Sequence, residues 1–221
     1  MDLTQAIAER RSVRGYQDRD VDPALLREIA VKAARAATGG NIQPWHVDIV
    51  RGETMRDLKA LMAGKLERRE KEVPGYDIYP KQMEDRYRQR TFAIGEEMYG
   101  RLGIPREDKR ARATWFARNF QFFGAPAAYF VTVDRRMGPP QWADLGMYLQ
   151  NLMLLAVEHG LATCPQECWA MFPQTVEAVL GTPVERMLFC GMAIGYEDAD
   201  DPANLTRAAR APEEEWLTVL A

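Results

Sequence analysis

Metal and thiol chemistry has little to work with in this chain, which holds three cysteines and two histidines among 221 residues. Cys164, Cys168 and Cys190 form an odd set without C-x-x-C spacing, which argues against a zinc site or a disulfide framework. With Pro165 between them, Cys164 and Cys168 read as small buried residues rather than as a redox pair. Long apolar runs are missing too. No window approaches the roughly 18 apolar residues of a membrane span, and the opening MDLTQAIAERR lacks the basic-then-apolar layout of a leader, so a soluble, cytoplasmic protein with no membrane partner is expected. Nor is there an excess of positive charge. The 29 Lys and Arg are outnumbered by 32 Asp and Glu, which removes any general pull toward nucleic acid and requires a cationic site to be local. Internal repeats, low-complexity stretches and a G-x-G-x-x-G nucleotide fingerprint are absent as well.

What is present suffices for one core: 47% of residues are hydrophobic, so residues 1–221 read as a single domain. Asp2 caps a short helix that ends near Arg10, with Gln5 three residues on. Asp22-Pro23 opens a second helix, with Leu26, Ile29, Ala30, Ala33 and Ala37 as its apolar stripe and Gly39-Gly40 as its end. His46 to Val50 reads as a strand, as do Ala127 to Val133 and Met187 to Ile194. Gln141 to His159 and Pro173 to Leu180 read as helices. From Glu53 to Arg118 the chain is highly charged and less legible, with helical spacing at Leu58, Leu61, Met62 and Leu66 and a break at Val73-Pro74-Gly75. Arg88 and Arg90 in this stretch read as solvated. His46 and His159 read as packing residues or helix-dipole partners.

Two constellations carry chemical content. Arg10-Arg11-Ser12-Val13-Arg14 packs three guanidiniums and a hydroxyl into five residues at a helix end. Guanidinium forks match phosphate oxygens, so the segment is either an anion site or a solvated basic turn. In Thr38-Gly39-Gly40-Asn41-Ile42-Gln43-Pro44-Trp45, glycine permits close backbone approach and two carboxamides supply donors and acceptors. A helix C-cap explains one glycine there but not the carboxamides.

RRSVR followed by a helix and GGNIQPW resembles the flavin-binding framework of the nitroreductase family. FFGAPAAYF, QWADLGMYLQNLMLLAVEHGLATCPQECW, MLFCGMAIGY and NLTRAAR continue the likeness in order along nearly the whole chain. The resemblance implies an α+β fold, a central mixed sheet of four or five strands flanked by helices, in an intertwined homodimer whose Trp216–Leu220 tail adds a strand to the partner's sheet. It implies FMN as cofactor, no metal, and no protein acid, base or nucleophile. By the same resemblance Arg10, Arg11 and Ser12 belong to the first FMN-contacting segment, with Arg10 and Ser12 toward the phosphate and Arg14 toward the N1/O2 edge, where a cation favours the reduced ring. Thr38, Gly39 and Asn41 resemble a loop that reaches the flavin from the partner subunit. Pro165, Gln166, Glu167 and Cys168 resemble the segment whose backbone N–H groups face the ring, and Arg207 and Arg210 the basic pair that completes the phosphate pocket.

Two departures mark this chain. Ala37-Thr38 stands where relatives often have Pro-Ser, and Cys168 where Gly is common; both bear on substrate fit more than on FMN binding. The activity implied is transfer of reducing equivalents from NAD(P)H through FMN to a nitroaromatic or quinone by a ping-pong mechanism. Other readings are a reductive dehalogenase or flavin-fragmenting relative on the same framework, and a non-catalytic FMN-binding protein.

Overall fold

A computed structural model describes residues 1–220. The apolar run after Pro126 forms a strand, β2 (Ala127–Asp134), whose side chains alternate between two cores. Tyr129, Val131 and Val133 enter one core while Ala128 and Phe130 enter the other, so both faces are covered and the run carries no polar alternation. Three more strands complete the sheet: β1 (His46–Arg51), β3 (Ala162–Gln166) and β4 (Arg186–Gly195), in the spatial order β1-β2-β4-β3.

Helix α1 (Leu3–Glu9) is capped by Asp2, whose carboxylate accepts from the Gln5 amide at 2.8 Å, and α2 (Pro23–Ala33) by Asp22, which accepts from Ala24 at the same distance. α2 and the long α6 (Pro139–Glu158) cover one face of the sheet with Leu26, Ile29, Leu145, Tyr148 and Leu152. Two buried hydroxyls find carbonyls there, Tyr129 donating to Leu26 and Tyr148 to Ala30. The opposite face is covered by α3 (Gly52–Glu67), α7 (Pro173–Leu180) and an aromatic cluster of Phe120, Phe122, Phe130 and Trp169.

Three expectations need correction. The second helix stops at Ala33, and Gly39–Asn41 forms a separate 3-10 turn in which Gly40 and Asn41 take φ near +60°. The sheet was expected to be mixed, yet its strand pairings are antiparallel. β2 and β3, joined by the α6 crossover, do run parallel, but β4 lies between them; the one parallel contact is a bridge between Ser12 and Thr163. β3 itself was not foreseen, because Ala162–Gln166 is short, partly polar and contains Pro165. The charged middle folds into α4 (Asp85–Arg101), which buries none of its residues, and α5 (Lys109–Ala117), which buries Trp115. Among the described residues no helix is long and apolar enough to cross a membrane.

Candidate functional site

The end of α1 feeds directly into the basic segment, with the Arg10 amide donating to Ala6 O at 3.0 Å. The chain is then pinned from two sides. Val13 N donates to Thr163 O at the start of β3, and Gln17 N donates to Tyr196 O just past the end of β4. Between those points Arg14 N donates to Asn204 Oδ1 at 2.7 Å. Asn204 belongs to a 3-10 turn, Pro202–Leu205, capped by the Asp201 carboxylate, and this turn delivers Arg207 and Arg210 to the same place.

The result is a cleft of about 850 Å³ lined by Arg10, Arg11, Ser12 and Arg14 from the N-terminal segment and by Arg207 and Arg210 from the far end of the chain. Two basic motifs almost two hundred residues apart thus share one site. Its size lies within the roughly 300–1,000 Å³ of cofactor pockets.

Among the described residues, Arg10, Arg14, Arg207 and Arg210 have no carboxylate within ion-pair distance. Arg14 donates to Ser12 O, Arg207 to the carbonyls of Asn204 and Thr206, and Arg210 to those of Ala208 and Ala209. Arg10 meets only the Met153 sulfur, at 4.0 Å. Desolvation, and then the nearby Arg210 cation, lower the Arg10 pKa from its ordinary value. The fold thus holds the half-buried Arg10 beside the exposed Arg210 with no counter-ion between them, an arrangement that an anion would relieve. Arg11 differs: both oxygens of Glu197 accept from its Nη2 at 2.5 Å, so its charge is already matched.

The other residues singled out in the sequence lie elsewhere. Thr38, Gly39 and Asn41 form an outward-facing turn over α6, with Gly39 N donating to Asp144 Oδ2 at 3.2 Å and Thr38 Oγ1 accepting from Gln43 N at 3.0 Å. They do not line the arginine cleft of their own chain. Pro165 and Gln166 end β3, while Glu167 and Cys168 begin the 3-10 turn Glu167–Met171; the cleft lining excludes these four as well. Gln166 is buried and donates to Asn119 O at 2.7 Å, which anchors the turn. Glu167 is exposed as a residue, although partial burial of its carboxyl raises the pKa. Burial pushes the Cys168 thiol well up, and Cys190 to about 12, so both stay protonated and unreactive. All three cysteines are free and buried.

Gln150 of α6 and Ile94 of α4 also line the cleft and were not foreseen. Gln150 carried only a weak signal, one of two adjacent carboxamides, with Asn151, in the apolar middle of α6. Ile94 carried none, because α4 has no buried stripe to orient it. Among the described residues no cluster of His, Cys, Asp and Glu could hold a metal ion.

Comparison with known proteins places this geometry. The model of the nitroreductase family matches residues 7–196. The chain is 35% identical over 214 residues to a 4-nitrobenzoate reductase of Nocardioides sp. (strain LMS-CY), spanning 96% of this chain and 87% of that protein. It is 32% identical to a nitrobenzene nitroreductase of Ectopseudomonas oleovorans, spanning 98% and 96% of the two chains. Among solved structures, the FMN and NADPH-dependent nitroreductase NfnB from Sphigopyxis sp. strain HMH superposes with a TM-score of 0.96 at 45% identity over the full length of both chains. The FMN-dependent nitroreductase NfnB from Mycobacterium smegmatis, in complex with NADPH, superposes at 0.91 and 29% identity, again over both full chains. The protein belongs to the nitroreductase family.

Proposed function

We propose that the chain is an FMN-dependent oxidoreductase that uses NAD(P)H to reduce nitroaromatic compounds, with a quinone as a further acceptor. The observation that carries this reading is the cleft in which Arg10, Arg14, Arg207 and Arg210 lack carboxylate partners. The residues fit the cofactor. A ribityl phosphate supplies the dianion that relieves the Arg10 and Arg210 repulsion, and the Ser12 hydroxyl adds a donor. Relatives described as FMN and NADPH-dependent nitroreductases support the same assignment.

FMN, when bound, supplies two-electron chemistry at N5, reduced by NAD(P)H and reoxidised by an electron-poor acceptor in turn. The chain contributes position and charge. Arg10, Ser12, Arg207 and Arg210 hold the phosphate. Arg11 braces the segment through Glu197. Arg14, on the same cleft, would lie toward the N1/O2 edge of a bound ring, where its cation would stabilise negative charge that builds on reduction. Pro165 and Gln166 at the end of β3, and Glu167 and Cys168 in the turn that the Gln166–Asn119 bond keeps in place, would present backbone to the ring. No side-chain acid, base or nucleophile is assigned.

Thr38, Gly39 and Asn41 complete the site of a second copy in a homodimer. Their exposure supports this, as do the exposed apolar residues Leu3, Ile7, Ile42 and Met147 and the tail residues Trp216, Leu217, Val219 and Leu220. Trp216 is 68% and Leu220 91% exposed in the single chain, an apolar surface that a partner would cover.

The test is the visible spectrum of the purified protein under anaerobic conditions, before and after NADH and NADPH in turn. A flavin spectrum bleached by one of them supports the assignment and identifies the donor. A flavin that neither nucleotide bleaches reduces the protein to an FMN binder. A colourless protein that FMN cannot reconstitute overturns the reading.

A further inference from the structure

The two basic segments need something to hold them at a fixed distance, and one buried amide is placed to do it. Asn204 is 2% exposed and its side chain is fully engaged: Oδ1 accepts from Arg14 N at 2.7 Å, and Nδ2 donates to Gly15 O and to Asp198 O, both at 2.8 Å. The same residue's carbonyl accepts from Arg207 Nη1 at 2.6 Å. One residue therefore grips the backbone beneath Arg14 and the guanidinium of Arg207. The packing leaves no slack, since a Cβ on Gly15 would collide with Asp201 in the adjoining loop.

We propose that Asn204 is a positioning residue of the cofactor cleft, fixing the Arg10–Arg14 segment against Arg207 and Arg210 so that the guanidiniums of Arg10, Arg207 and Arg210 converge on one phosphate; this rests on the FMN reading above. The chemistry demanded at position 204 is narrow. An acceptor must face the Arg14 amide while two donors face carbonyls, which a carboxamide satisfies and a carboxylate or alkyl group of equal size does not. A buried amide is tolerated only when its hydrogen bonds are made, and here they tie the turn that leads to Arg207 onto the backbone of Arg14 and Gly15 and onto the Asp198 carbonyl. Displacement of about 1 Å in such a constellation costs on the order of a hundredfold in function.

The experiment compares FMN with riboflavin, which lacks the phosphate. Apo wild type, Asn204→Ala and Asn204→Asp are titrated with each flavin by fluorescence quenching, with circular dichroism to check the fold. The preference of wild type for FMN over riboflavin is expected to shrink about tenfold or more in both variants. Asn204→Asp keeps the acceptor toward Arg14 but turns an oxygen on the carbonyls of Gly15 and Asp198. A role confined to stability would lower the melting temperature and leave the FMN-to-riboflavin ratio unchanged, and that result overturns the proposal. So does failure of both variants to reach the native fold with saturating FMN, which would make Asn204 a folding residue only. Wild type that binds neither flavin removes the cofactor reading itself, whatever the variants do.

Discussion

The arginines of residues 84–112 and those of the two segments that form the cleft are equally conspicuous in the sequence, but the fold treats them in opposite ways. In the middle region Arg86 pairs with Glu84, Arg88 with Asp85, Arg90 with Glu215, Arg101 with Glu97 and Arg112 with Glu96. Arg106 and Arg110 are the exceptions, exposed and without a carboxylate among the described residues, Arg106 lying over the Phe92 ring 4.8 Å from its centroid. In the cleft only Arg11 has a carboxylate, while Arg10, Arg14, Arg207 and Arg210 rest on carbonyls and a thioether. A basic run in a sequence carries function where the fold withholds its counter-ions, and the withheld charge is what a ligand would supply. Density of arginine does not distinguish the two regions; the fate of the nearest carboxylates does.

The sharpest way to break this comparison is to remove a cleft cation. Arg10→Ala should raise the FMN dissociation constant roughly 10- to 100-fold, the worth of one hydrogen bond to a charged group. The apo protein should melt higher than wild type, because a desolvated guanidinium repelled by Arg210 has been deleted. Flavin fluorescence titration and thermal unfolding of the apo form check the two halves. Unchanged affinity would return Arg10 to the class of solvated charges.

A smaller effect separates the members of the cleft from one another. Arg14→Ala should slow flavin reduction by NAD(P)H about tenfold at saturating FMN, equivalent to about 1.4 kcal/mol of lost stabilisation, and weaken FMN binding less than Arg10→Ala does. Stopped-flow reduction decides it. Equal reduction rates in mutant and wild type would place Arg14 with the phosphate ligands.

Arg112→Ala is the matching change in the paired region. Arg112 donates to both oxygens of Glu96, at 2.6 and 3.2 Å, and ties α5 to α4. Its loss should leave the FMN dissociation constant within about twofold of wild type and lower thermal stability only slightly, as expected of an ion pair that still reaches solvent. A large loss of FMN affinity would show that α4, which carries Ile94 into the cleft, depends on this bond for its placement.

The same contrast explains what the sequence made legible. β2, β4, α6 and α7 could be read because each buries a continuous run or stripe of apolar side chains that local spacing reveals. The first arginine motif was legible as a charge cluster and Arg207 and Arg210 through the family resemblance, and Arg10, Arg11, Ser12 and Arg14 do share a cleft with them. α4 could not be oriented, since it buries no residue fully and only Met98 and Tyr99 near its end pack against the core, too short a stripe to read. Asn204 was invisible for another reason: its partners are at positions 14, 15 and 198, and an Asn beside Leu-Thr-Arg looks like any turn residue until those segments meet. The early stop of α2 at Ala33 was missed because Ala36 and Ala37 continue an acceptable helical composition while the chain turns away.

His46 offers the mildest version of a charge the fold opposes, and it extends the comparison to pH. It begins β1 opposite Thr132, and desolvation followed by the Arg186 cation lowers its pKa, while Asp48 and Asp134 pull the other way and do not prevail. A lowered folded pKa means the unfolded chain takes up a proton first, so below the ordinary value of about 6.5 stability should fall as pH falls, and above it this contribution is fully present. Asp48 is itself raised by burial, against the pull of the Arg186 and His46 charges. Urea unfolding of the apo protein at pH 7.5 and 5.5 should therefore show a loss at the lower pH that is smaller in His46→Gln, whose side chain does not titrate. Equal losses in the two proteins would assign the acid sensitivity to the carboxylates instead, since the guanidiniums of the cleft stay charged across this range.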